Sequence, residues 1–264
     1  MRRRLLRITL LALTLAGCSS APVDPQPAPR EPRQASENAD PERRAKLRLE
    51  LAGLYFGRGQ TATALDEVQQ ALSAKPNLPE AYGLRGLIYA SMGDIPRSED
   101  SFKSALEMNP RDGDTMHNYG WVLCQQQRFI EGDALFERAL AQPQYRERIR
   151  TLLAQGVCHA RAGRWSDAER SLTRSYEFDP ANPVIAFNLS EVLLRRGELD
   201  RARFYVARIN AQPDLSSAQS LWLAARIERR SGDVGAVQGF GRQLRDRFPQ
   251  SPEALQYEKG RFDD

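Results

Sequence analysis

The chain has 264 residues, with 38 Lys and Arg against 34 Asp and Glu, so its formal charge is +4. Four of the arginines lie in the first seventeen residues, which contain no acid, and the rest of the chain is therefore neutral, with 38 − 4 = 34 basic residues against 34 acidic ones. Nucleic-acid binding needs a basic patch on the folded body, so no nucleic-acid partner is expected. A hydrophobic share of 41% suffices for a folded core in one or two domains.

The N-terminus has the layout of an export signal, because Arg2, Arg3, Arg4 and Arg7 form a basic region at the start of the chain and residues 5–16 are otherwise mostly apolar. That stretch is shorter than the roughly 20 residues of a membrane span. It ends in Leu-Ala-Gly followed by Cys18, which resembles the lipobox of bacterial lipoproteins. The resemblance implies cleavage after residues 1–17 and acylation of Cys18. Ser19 in place of Asp implies sorting to the outer membrane. The alternative is an ordinary signal peptide with an incidental cysteine.

The next segment is rich in proline and has no apolar period. Residues 18–41 are therefore predicted to be a flexible tether behind the lipidated cysteine, because chains of this composition are semi-extended at about 3.1 Å per residue. Such a tether could hold a domain on the order of 70 Å from the bilayer. Its prolines are Pro22, Pro25, Pro27, Pro29, Pro32 and Pro41.

The body of the chain, residues 42–264, is a repeat. Pro76 and Pro110 are 34 residues apart, and alignment on them brings Gly59 into register with Gly93 and Ala71 with Ala105. A 34-residue period with small residues at positions 8, 20 and 27 is typical of the tetratricopeptide repeat, a helix–turn–helix unit. Six units are predicted, at about 45–78, 79–112, 113–146, 149–182, 183–216 and 218–251, followed by a short capping helix over 252–264.

The predicted fold is therefore all-α, a right-handed superhelix of about six tetratricopeptide repeats. An ordinary helical bundle is the alternative. Position 15 of each unit is expected to be a glycine that ends the first helix in the left-handed conformation. Unit three departs from the pattern with Gln127 at position 15 and Gly132, rather than alanine, at position 20. Unit six contains Gly235, Gly239 and Gly241, which lower its helix propensity.

Repeat solenoids bind partners along a concave face, which in tetratricopeptide domains is lined by the first helix of each unit. Those positions are largely apolar in units one to five, and they predict a groove for an apolar or amphipathic segment. The alternative for each residue is a place in the core. Leu49 and Gly53 stand where clamps for a terminal carboxylate carry Lys and Asn. The predicted groove residues are Leu49, Phe56, Leu87, His117, Trp121, Leu153, Val157 and Phe187.

Cys124 and Cys158 lie on the first helices of units three and four, which are neighbours in the superhelix. Because export leads to an oxidising compartment, we expect a disulfide between them, worth about 3 kcal/mol. Two buried free thiols are the alternative. His117 and His159 have no metal-ligand spacing, and no nucleophile or phosphate-binding motif appears. No metal, cofactor or catalytic residue is therefore predicted, and a periplasmic hydrolase is the remaining alternative.

Lipobox, tether and repeats together resemble the type IV pilus pilotin lipoproteins known as PilF or PilW. The most specific stretch runs from His117 to Gln125, and Cys158 matches the second cysteine of the family. The resemblance implies a monomeric, non-enzymatic outer-membrane lipoprotein that faces the periplasm and is held in the outer-membrane lipid by acyl chains. Its partner would be the type IV pilus secretin subunit, whose targeting and multimer assembly it promotes in pilus biogenesis and twitching motility. Another envelope repeat lipoprotein, an adaptor in outer-membrane protein assembly or for peptidoglycan enzymes, is the alternative.

Overall fold

The computed structural model describes residues 40–262, so the export signal, Cys18 and nearly all of the tether lie outside the described residues. Within this part the chain forms thirteen helices and no strand. None of these helices is long and apolar enough to cross a membrane. They are α1 (Pro41–Gly57), α2 (Thr61–Ala74), α3 (Pro79–Ser91), α4 (Ile95–Met108), α5 (Gly113–Gln125), α6 (Phe129–Leu140), α7 (Arg148–Arg161), α8 (Trp165–Phe178), α9 (Pro183–Arg196), α10 (Leu199–Asn210), α11 (Ala218–Ser231), α12 (Val234–Arg247) and α13 (Pro252–Glu258).

Consecutive helices pair as α1 with α2, α3 with α4, and so on to α11 with α12, and the odd-numbered helices contact one another along the stack. The principal contacts in the described part join only neighbouring pairs, as in a solenoid and unlike a bundle. This confirms the predicted all-α tetratricopeptide fold. The first helix begins at Pro41, inside the segment predicted as tether, because proline fits the first turn of a helix without losing a hydrogen bond.

The first helix of each pair ends on a left-handed residue. Five units use glycine there, and all five glycines have φ between 72° and 86°: Gly59, Gly93, Gly163, Gly197 and Gly232. This confirms the prediction that the glycine at position 15 ends the first helix in the left-handed conformation. Unit three reaches the same conformation with Gln127, whose φ is 61°. Its helix therefore ends as the others do, but on a residue whose Cβ disfavours the left-handed backbone conformation.

Close helix crossings explain two of the unusual glycines. A Cβ on Gly132 would lie 2.7 Å from the carbonyl oxygen of Gly120, so α5 and α6 approach too closely for alanine. In unit six, α12 is continuous despite its three glycines. A Cβ on Gly241 would overlap the ring of Tyr257, so this glycine makes room for α13. Ala254 is the buried residue of α13, whereas Leu255 is 50% exposed.

Candidate functional site: the groove and the junction of units three and four

The eight predicted groove residues lie on the first helices of units one to five, from α1 to α9. Seven of them are half-buried: Leu49, Phe56, Leu87, Trp121, Leu153, Val157 and Phe187. Each therefore keeps part of its side chain on the surface while the remainder rests on the core. His117 differs, because it is only 7% exposed.

At the N-terminal end of this row an exposed glycine separates two apolar side chains. Leu49 and Phe56 pack against the cluster of buried residues that includes Ala52 and Ile88. Between them Gly53 is exposed, and a Cβ there would meet nothing within 4 Å. A missing side chain between two half-buried apolar ones leaves a depression that an apolar side chain of a partner could fill.

Leu87 and Trp121 continue the row in units two and three. Leu87 packs on the core cluster of units two and three, and Trp121 packs on the one around Phe136. The guanidinium of Arg161 lies 5.1 Å from the centre of the Trp121 ring, a cation–π contact. Trp121 is thereby held in place across the boundary between units three and four.

His117 belongs to a buried polar network at this junction. Its Nε2 accepts a hydrogen bond from Arg150 Nε at 3.0 Å, so its Nδ1 is the protonated nitrogen and donates to Thr151 Oγ1 at 2.8 Å. Thr151 is fully buried and also contacts the hydroxyl of Tyr145 at 2.6 Å. Burial, with a smaller contribution from Arg150, lowers the pKa of His117 to about 4. The ring is therefore neutral near pH 7 and joins α5 to α7, with little surface for a partner.

A cysteine pair and an aspartate complete the junction. The structure pairs Cys124 of α5 with Cys158 of α7, both buried, with Cα atoms 5.9 Å apart, a separation that suits a disulfide. Asp133 of α6 accepts hydrogen bonds from Gln155 at 2.9 Å and Arg164 at 3.0 Å. Its carboxylate is also 2.9 Å from His159 Nε2. Although burial raises the pKa of Asp133, these partners lower it to about 2.

Thr151 and Asp133 were not singled out from the sequence. His117 and Thr151 are 34 residues apart, one repeat length, and that spacing was the available signal for their contact. Within residues 40–262 no group of His, Cys, Asp and Glu could hold a metal ion. The arrangement of the described residues supports binding of another polypeptide along the stacked helices.

Comparison with known proteins agrees with this geometry. Two tetratricopeptide-repeat family models match, over residues 49–112 and 159–225. The type IV pilus assembly protein PilF of Pseudomonas aeruginosa is 24% identical over 251 residues, which cover 95% of this chain and 96% of PilF. The crystal structure of PilW, a widely conserved type IV pilus biogenesis factor, matches with a TM-score of 0.74 and 28% identity, over 80% of this chain and 97% of PilW. The structure of Pseudomonas aeruginosa PilF matches with a TM-score of 0.72 and 22% identity, over 83% and 99%.

The fold and the family matches define a tetratricopeptide-repeat protein, a scaffold for protein–protein interaction. The similarity to PilF along almost the whole chain, together with the PilW structure, identifies it further. It is a PilF/PilW-type tetratricopeptide-repeat protein; PilF is a type IV pilus assembly protein, and PilW is a type IV pilus biogenesis factor.

Proposed function

We propose that this protein is an outer-membrane pilotin that binds the type IV pilus secretin subunit and promotes its targeting and multimer assembly. The observation that carries the proposal is the similarity to PilF over 95% of the chain, which includes the N-terminal region as well as the repeats. Pilus biogenesis and twitching motility would depend on it through the secretin pore. The division into signal, tether and six repeat units is part of the same proposal.

We place the secretin contact at the N-terminal end of the groove, around Leu49, Phe56 and Leu87, with Trp121 beyond. These side chains are half-buried, and they are therefore held by the core while still able to bury further area against a partner. Apolar burial contributes about 25 cal/mol per Å², and a few such side chains dominate most interfaces. Leu153, Val157 and Phe187 would extend the contact along α7 and α9.

The anchor and the disulfide complete the proposed mechanism. Acyl chains on Cys18 would hold the protein in the outer-membrane lipid, since more than one chain is needed for stable anchoring. The tether would keep the groove within reach of secretin subunits, which raises their effective concentration at the bilayer. A disulfide between Cys124 and Cys158 would hold units three and four in one register.

The first experiment measures SDS-resistant secretin multimers in outer-membrane fractions of the parent strain, a deletion strain and a Cys18→Ala strain. We expect loss of multimers on deletion, and reduced or mislocalised multimers with Cys18→Ala. Normal multimers in all three strains would favour an adaptor for another envelope machine, such as one for outer-membrane protein assembly.

A second experiment places the contact. We expect the pair Phe56→Glu and Leu87→Glu to abolish secretin binding in a pull-down, because two charges would have to be desolvated in the interface. Ile130→Glu is the matched control, since Ile130 is 81% exposed and lies on α6, outside the groove. Unchanged binding by the folded double variant would show that the contact lies elsewhere on the protein.

A further inference from the structure

We infer that the pocket between α9 and α11 binds a carboxylate-bearing segment of a protein partner through its arginines. A cavity of about 450 Å³ lies there, lined by Leu194, Arg195, Arg226, Arg229, Arg230 and Phe262. Of the six lining residues in the described part of the chain, four are arginines and none is acidic. The inference rests on this pocket and does not depend on which protein supplies the segment.

Within residues 40–262, the charges of the pocket are only partly matched. Arg226 lies 3.6 Å from Glu191, and Arg230 donates to the carbonyl oxygen of Leu194 at 3.2 Å. Arg195 and Arg229 have no carboxylate partner among the described residues. Both side chains are exposed, so their guanidinium donors are available to an external anion.

The position of these arginines at helix ends does not by itself explain why they line the pocket. Basic residues in the last turn of a helix interact favourably with its dipole, and Arg195 and Arg196 are in the last turn of α9. Arg196, however, pairs with Glu169 and Glu198 at 3.0 and 2.9 Å. Its neighbour Arg195 lines the cavity instead, beside arginines from a second helix.

The pocket also offers an apolar wall. Phe262 is held by Trp222, with ring centres 4.9 Å apart, and by Tyr257 at 6.0 Å. The guanidinium of Arg229 lies 5.7 Å from the Phe262 ring. An acidic residue next to an apolar or aromatic one would satisfy both features, because guanidinium groups bind carboxylates in pairs of parallel hydrogen bonds.

The location favours a peptide over a lipid surface. Arg226 and Arg229 occupy positions 9 and 12 of unit six, the positions that line the groove in the preceding units. The pocket therefore continues the row of groove residues toward the C-terminal end of the solenoid. An extended segment could place apolar side chains along units one to five and a carboxylate at unit six.

The test uses the purified full chain in detergent and two fluorescent ten-residue peptides, one with Asp-Phe-Asp and one with Asn-Phe-Asn at its centre. Fluorescence anisotropy should show at least tenfold tighter binding of the acidic peptide, with an affinity that falls as NaCl rises. The double variant Arg195→Gln and Arg229→Gln should weaken acidic-peptide binding about tenfold and remove the preference for Asp over Asn. It should remain folded by circular dichroism, since neither arginine has a carboxylate partner within the described residues 40–262.

Arg138→Gln is the matched control, because Arg138 is an exposed arginine on α6 outside the pocket, and it should leave binding unchanged. Equal affinity for the two peptides, or full binding by the folded double variant, would overturn the inference. Glycerophosphoglycerol, the soluble headgroup of an anionic lipid, serves as the competing probe. Tighter binding of this headgroup than of the acidic peptide would assign the pocket to a membrane surface and reject the peptide.

Discussion

The connections between successive units differ in length, and the two long ones are stabilised in different ways. Residues 75–78, 109–112 and 179–182 form connections of four residues. Residues 141–147, between units three and four, and 211–217, between units five and six, form connections of seven. Both long connections interrupt the 34-residue period, so each junction needs contacts that the regular repeat does not supply.

The connection of units three and four turns inward. Tyr145 is 8% exposed, its ring fills the space beside Gly113, and its hydroxyl bonds the buried Thr151. Burial raises the pKa of Tyr145, which therefore stays neutral. The inserted residues thus enlarge the core, and the Cys124–Cys158 pair lies in the same junction.

The connection of units five and six buries a small polar side chain rather than an aromatic ring, since its Ser216 is 7% exposed. Asn210 bonds Ser216 and Ser220, and Arg247 of α12 reaches back to Ser216 at 3.1 Å. Arg203 and Glu228 add a two-armed ion pair across the junction, at 2.6 and 2.9 Å. The extra residues of a long connection can therefore be accommodated by burying an aromatic ring or by a set of polar contacts. A closely packed ring leaves less tolerance for change.

Of the changes that test this comparison, removal of the cysteine pair should lower the stability of the protein most. We expect Cys124→Ala with Cys158→Ala to lower the free energy of unfolding by about 3 kcal/mol, because a disulfide restricts the unfolded chain. Urea denaturation under oxidising conditions measures the loss. Reductant should lower the stability of the parent protein by a similar amount and leave the variant unchanged. Equal stability of the parent with and without reductant would indicate two free thiols.

The second prediction concerns how the stability of the junction of units three and four depends on pH. The pKa of Asp133 is about 2 in the folded protein, below its ordinary value of 3.8. Its contribution to the free energy of unfolding is therefore present above pH 3.8 and lost as the pH falls toward 2. This difference corresponds to about 2 kcal/mol at 1.36 kcal/mol per unit. We expect Asp133→Asn to lose about that much stability at pH 7 and to match the parent protein near pH 2.

Glu228→Gln provides the comparison at the junction of units five and six. The hydrogen bonds from Arg203 lower the pKa of Glu228, so the sign of the effect is the same. Arg203 is 39% exposed, however, and solvent screens the pair. Chemical denaturation at several pH values should show a smaller loss than for Asp133→Asn. A larger loss would show that the Arg203–Glu228 pair stabilises its junction more than the partners of Asp133 stabilise theirs.

The sequence predicted the fold because each unit repeats the same physical requirements. Small residues where helices cross and glycine at the helix end recur every 34 residues, and the structure confirms both. The sequence also placed Trp121 and Cys124 on one helix of unit three. It did not indicate that His117 is buried, because the contact with Thr151 depends on how α7 rotates after a connection of irregular length.

The sequence was equally silent about partners that come from different units. Asp133 lies on a helix face that reads as solvent-exposed charge, and only the packing of α7 brings Gln155 and His159 to it. Gly241 reads as a helix-weakening residue, and only the position of Tyr257 shows why alanine does not fit. Period and composition report contacts within a unit, whereas contacts between units depend on the angles at which the units stack.

The smallest predicted effect concerns the one helix end in the described part that uses a non-glycine left-handed residue. Gln127 has a φ of 61°, a conformation that costs a residue with a Cβ roughly 1–2 kcal/mol. Glycine removes that cost but gives the unfolded chain more freedom, which offsets part of the gain. We therefore expect Gln127→Gly to raise the free energy of unfolding by about 0.5–1 kcal/mol, measured by urea denaturation.

The reciprocal change is Gly163→Ala at the same position of unit four. Gly163 has a φ of 72°, and an added Cβ would meet nothing within 4 Å, so any loss comes from the backbone alone. It should destabilise the protein by about 1 kcal/mol. If Gln127→Gly instead destabilises while Gly163→Ala behaves as expected, the Gln127 side chain must contribute an interaction that outweighs its backbone strain. Unit three would then be specialised at its helix end as well as at its junction with unit four.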